Sequence, residues 1–176
     1  MPMKLHIGEN HCSIPRVLSK VYKYARFDAV YSLRLDGSDI ITITPEKQLT
    51  DAWKHIADNC AKSDKCNGYF KTLHKARSLA DIMEKDELVF HLLTPIGKHT
   101  ENDLPMGNGA GKDIGISLFA LIDGRGDVKR MAATVLHEIA HYAGASTDPD
   151  GAQALQAENS LVPCGLKPYF NKDAKG

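Results

Sequence analysis

The sequence predicts a single α+β domain spanning residues 1–176, and three observations carry that expectation. Segments with helical spacing are interspersed with short β-rich runs. The composition, 43% hydrophobic and 25% charged, is that of an ordinary globular chain. Neither an internal repeat nor a linker-like stretch divides the 176 residues, a length at which one domain can bury a sizeable core.

In chain order, 13–27 carries Val17, Leu18, Val21, Tyr22 and Ala25 at helical spacing, with Pro15 suited to a first turn and Ser13 to the cap. Two β-rich runs, 29–35 and 39–45, flank Asp36-Gly37-Ser38, so a hairpin is expected there, with Pro45 closing its second strand. Leu49, Trp53, Ile56 and Ala57 predict a helix over 48–60, and another is expected over 69–83. Residues 87–95 read as a strand, and 97–115 as a glycine-rich stretch without aliphatic periodicity. The apolar run 114–122 reads as the strongest strand of the chain. Asp123-Gly124-Arg125-Gly126 then turns into a helix from Asp127 to about Ala143.

Composition also excludes function classes. Twenty-two basic residues balance twenty-two acidic ones, so the charge surplus that nucleic-acid binding draws on is absent. No apolar stretch approaches the roughly 18–20 residues of a membrane span, and 1–13, with His6, Glu9 and His11, does not read as a signal peptide. The four cysteines do not have zinc-site spacing. Two readings stay open for them: Cys60–Cys66 and Cys12–Cys164 disulfides formed in an oxidising compartment, or buried free thiols.

The helix over 127–143 contains His137-Glu138-Ile139-Ala140-His141, the pattern H-E-x-x-H. Residues i and i+4 share a helix face, so His137 and His141 can offer two imidazole nitrogens to one ion, and zinc accepts such ligands at roughly 2.0–2.1 Å. Glu138, about 100° round the helix, flanks such an ion without ligating it and is suited to take a proton from water.

This strand-then-helix placement of H-E-x-x-H resembles the zincin metallopeptidases over 114–165. The resemblance implies a small mixed sheet, an active-site helix, Zn2+ as cofactor, Glu138 as catalytic carboxylate and a third protein ligand beyond His141. The metzincin spacing fails, because Gly144 fits but the ligand position is Thr147, with Asp148 one residue late. An aspzincin-like ligand at Asp148 or Asp150 competes with a gluzincin-like one at Glu158. Asp150-Gly151 would open a helix on which Ala154, Leu155, Glu158, Leu161 and Val162 share a face, and a metal would make a carboxylate on that apolar face comfortable. Glu158 is therefore the expected third ligand. Asp148 and Asp150 are equally suited to turn and cap chemistry.

The same stretch, down to Cys164-Gly165, is similar to compact metallopeptidase domains of secreted bacterial toxins and effectors. That likeness implies a secreted or delivered protein acting in a periplasm (a cytoplasmic site being the alternative), a peptide or protein substrate and a cognate immunity protein. A peptidoglycan-directed amidase or endopeptidase with the same zinc chemistry, and a non-catalytic zinc-stabilised binding module, are the competing readings. Tyr142, Tyr169 and His99 are the candidates for holding an oxyanion. The upstream strand is the expected docking edge for extended substrate. Residues 107–113 miss the phosphate-loop pattern at Met106 and Asp113, and the other histidines are scattered singly.

Overall fold

A computed structural model describes residues 3–8, 22–35, 39–95 and 112–176. The fold is α+β, with a small mixed sheet and six α-helices among the described residues. Strand β5 (Val89–Pro95) is its centre. Strands β1 (His6–Ile7, parallel) and β2 (Tyr22–Ala25, antiparallel) pair with successive parts of β5 on one edge, and β6 (Asp113–Ser117, parallel) pairs along the other. Phe90, His91, Leu92 and Leu93 are all buried, as befits a strand flanked on both edges. Strands β3 (Tyr31–Leu35) and β4 (Asp39–Ile43) form a separate antiparallel hairpin, as the sequence predicts, although its turn at 36–38 lies outside the described residues.

Helix α1 (Pro45–His55) opens with Pro45 in its first turn, where a missing N–H costs nothing, and continues as a π-turn over Ile56–Cys60. The helix expected over 69–83 is instead two: α2 (Asp64–Lys71), capped by Ser63, and α3 (Leu79–Lys85), capped by Ser78. The break between them is held by Lys75 N donating to the Ala143 carbonyl and by Ala80 N of α3 donating to Asn67 Oδ1 of α2. The helix expected over 13–27 mostly lies outside the described residues, but its end is a strand: Tyr22–Ala25 pairs with Leu92–Pro95 of β5.

The run 114–122 is corrected in the same way. It is a strand only to Ser117, whose hydroxyl accepts from Phe119 N and caps helix α4 (Leu118–Asp123). Helix α5 (Val128–Tyr142) follows, capped by the Asp127 carboxylate accepting from Arg130 N. Met131, Ala132, Ala133, Val135, Leu136, Ile139 and Ala140 are all buried, so α5 runs through the core and packs on α1. Each such large aliphatic side chain adds roughly 1.5–3 kcal/mol of transfer free energy.

Beyond α5, the long helix expected from Asp150 is a chain of three-residue turns around a four-residue helix α6 (Gln156–Asn159). Asp148 Oδ1 takes Asp150 N at 2.9 Å, a local bond that competes with helix formation, and Pro163 follows close behind. The cysteines pair differently from the first expectation. The disulfide is Cys66–Cys164, and Cys60 is a buried free thiol; Cys12 lies outside the described residues. Among the described residues, no helix is long and apolar enough to cross a membrane.

Candidate metal centre

His137 and His141 lie one turn apart on α5 with ring planes at 73° and centroids 4.7 Å apart. Their Nε2 atoms approach to 3.1 Å. The opposite nitrogen of each ring meets an oxygen that can only accept: His137 Nδ1 donates to Glu158 Oε2 at 2.7 Å, and His141 Nδ1 to the Ala145 carbonyl at 3.3 Å. Those acceptors place a hydrogen on both Nδ1 atoms. With Nδ1 donating on each ring, a cation or proton shared between the two Nε2 atoms makes the arrangement favourable. Nitrogens 3.1 Å apart are within reach of one ion that each binds at roughly 2.0–2.1 Å.

The local fold explains why His141 is oriented this way. Helix α5 ends in a Schellman cap, with Gly144 N donating to the His141 carbonyl and Ala145 N to that of Ala140. Gly144 has φ +107°, and a Cβ there would stand 2.4 Å from the His74 Cβ. This cap turns the chain back so that the Ala145 carbonyl meets the imidazole one turn up.

No protein-family model, curated protein or solved structure matches this chain.

Glu158 is buried, and its carboxylate meets the His137 ring. Its Oε2 holds His137 Nδ1, on the far edge of the ring from Nε2, and its Oε1 accepts from Asn171 N at 3.0 Å. A buried carboxylate needs compensation, and imidazole and backbone N–H groups supply it here. Among the described residues, no three His, Cys, Asp or Glu side chains are gathered as a metal-holding group. Asp148 and Asp150 are exposed and engaged in the turn bond described above. Glu138 is 6% exposed, a carboxylate among the buried Val135, Leu136, Ile139 and Ala140.

A cleft of about 700 Å3 opens between α5 and the C-terminal segment, with Arg130, Thr134, His137 and Glu158 on one wall and Tyr169 and Asn171 on the other. Tyr169 hydrogen-bonds the Asp127 carboxylate at 3.2 and 3.3 Å, at the start of α5 and not beside the histidines. Tyr142 faces away: its hydroxyl donates to Asp86 Oδ2 at 2.5 Å, and burial followed by that carboxylate pushes its pKa up to about 12. His99 lies outside the described residues. Two contributors to the site are backbone groups, the Ala145 carbonyl and the Asn171 N–H. The glycine at the helix end signals a Schellman cap and so the Ala145 carbonyl, whereas Asn171 acts through its backbone and leaves no residue-type signal.

Proposed function

We propose that this chain is a zinc-dependent metallopeptidase of the H-E-x-x-H type, with His137 and His141 holding the ion through Nε2. The observation that carries the reading is the convergence of those two nitrogens at 3.1 Å while both Nδ1 atoms are held by acceptors. Zinc, when bound, supplies Lewis acidity that polarises a carbonyl and makes water acidic near neutral pH. Glu158 acts one shell out: its carboxylate keeps the His137 hydrogen on Nδ1, leaves Nε2 as the donor atom and raises its basicity. The Ala145 carbonyl does the same for His141. Glu138 follows His137 on the same helix and takes the proton of the attacking water, then returns it to the departing amine. The cleft beside His137 and Glu158 is the binding place for a peptide or protein segment.

The setting we assign is a secreted or delivered effector acting in a periplasm, countered by a cognate immunity protein. The Cys66–Cys164 disulfide supports an oxidising compartment. The test is metal analysis of the purified chain, followed by digestion of a mixed peptide library and of peptidoglycan, each beside Glu138→Gln. One equivalent of zinc and peptide cleavage lost in the variant is the expected result. Cleavage confined to peptidoglycan would move the substrate to the cell wall. Zinc without any hydrolysis would make the ion structural, and a chain that stays metal-free in excess zinc would overturn the reading.

A further inference from the structure

Glu158 sits on a helix of only four residues, Gln156–Asn159, with turns on either side. So short a helix does not hold itself in place. Beside its packing on α5 and the Ser146 N bond to Gln156 Oε1, it has tethers from α2 on both sides of Glu158. The Tyr69 hydroxyl donates to the Gln156 carbonyl at 2.5 Å, just before Glu158. Just after it, the Cys66–Cys164 disulfide joins α2 to the turn across 98 residues of sequence, and the Cys60 thiol donates to the Cys164 carbonyl at 3.2 Å. Cys66, Cys164, Ala157 and Leu161 are all buried around these links. The segment carrying the His137 partner is thus tied to α2 on both sides of Glu158, and among the described residues the disulfide is the covalent tie.

We infer that the Cys66–Cys164 disulfide is a positioning brace for the metal site, holding Glu158 on His137 Nδ1 and so making metal affinity depend on the oxidation state of that pair. The affinity half of this inference rests on the two-imidazole reading above. Opening the brace takes two electrons and two protons from a dithiol, which closes to its own disulfide and leaves two thiols on the chain. The 156–164 segment then keeps the Tyr69 bond and its packing but loses its fixed distance to α2. An outer carboxylate that drifts from a ligating imidazole weakens the metal by about 10–100-fold.

The experiment titrates the full chain with Zn2+ alone against a competing chelator dye. The Cys66→Ala/Cys164→Ala double variant is expected to bind about 10–100-fold more weakly than wild type. Because the brace acts through Glu158, removing the disulfide from Glu158→Gln is expected to add no more than about another twofold loss; independent, additive losses would overturn the inference. If the double variant does not fold, metal-free wild type decides by NMR. The His137 Nδ1 hydrogen on its carboxylate gives a downfield resonance, expected to vanish on reduction with dithiothreitol and to return on reoxidation. A folded double variant with unchanged zinc affinity, or a His137 resonance indifferent to reduction, overturns the brace. A wild-type chain that takes up no zinc overturns the metal reading and the affinity half of this one, while the His137 resonance still decides whether the disulfide holds Glu158.

Discussion

Glu158 Oε2 lies 2.7 Å from His137 Nδ1, and the two residues are only 5% and 3% exposed. A carboxylate and an imidazole shut off together from solvent compensate one another's burial. Glu158→Gln keeps an oxygen that can accept from Nδ1 but removes the charge that raises the basicity of the ring. Zinc affinity is expected to fall about 10–100-fold with the fold intact. Glu158→Ala leaves the imidazole N–H buried without its acceptor, a further destabilisation of about 1–3 kcal/mol. Calorimetric zinc titration and urea unfolding of the two variants separate the effects. Equal affinity in wild type and Glu158→Gln would show that the contact does not reach the metal.

Glu138 is expected to behave in the opposite way. It is assigned to proton transfer, not to ligation, so Glu138→Gln should retain stoichiometric zinc and lose about 10²–10⁴-fold in kcat. The separation of the two variants is the informative result: one loses metal and the other loses rate. If Glu138→Gln also sheds zinc, the two carboxylates do not divide the work as proposed.

The elements legible in the sequence are those whose pattern has one physical solution. Asp36-Gly37 between two β-rich runs means a hairpin, and the period of α5 with His137 and His141 at i and i+4 means a shared helix face. The continuous apolar run 114–122 has two solutions, since periodicity does not separate a buried strand from a buried helix; the Ser117 cap divides it. Cysteine connectivity is undetermined by spacing alone, and it is the tertiary contact of α2 with the 160–165 turn that pairs Cys164 with Cys66 where Cys12 was expected. Burial of Glu158 was legible from its apolar neighbours. Its partner was not, because an imidazole and a metal ion compensate a buried carboxylate equally well in a one-dimensional reading.

Gly144 links the helix end to the site. Its φ of +107° is strained for any side chain, and an added Cβ would also stand 2.9 Å from His74 N. Gly144→Ala is expected to cost roughly 1–3 kcal/mol through the backbone alone, with the clash in addition. Because the same cap presents the Ala145 carbonyl to His141, the variant should also weaken zinc binding at a temperature where it remains folded. A lower melting temperature with unchanged zinc affinity would separate the cap from the metal site.

The far side of α5 sets the response to acid. Burial by itself lifts the Asp86 carboxyl, but hydrogen bonds from Arg77 (2.5 Å) and Tyr142 (2.5 Å) more than offset it and hold it below its usual range. A carboxyl depressed in the folded state contributes stability that is fully present above the unfolded value, about 3.9, and is lost as pH falls through the folded value. Urea midpoints are therefore expected to drop below about pH 4, and Asp86→Asn should flatten that limb while costing about 1–3 kcal/mol at pH 7. The same substitution removes one of the causes that raise Tyr142 to about 12, so its ultraviolet titration should move down toward the ordinary tyrosine value. Tyr142→Phe removes one of the two donors, so the acid limb should shrink without disappearing while Arg77 stays in place. An acid limb of wild-type depth in Asp86→Asn would assign the loss to other carboxylates.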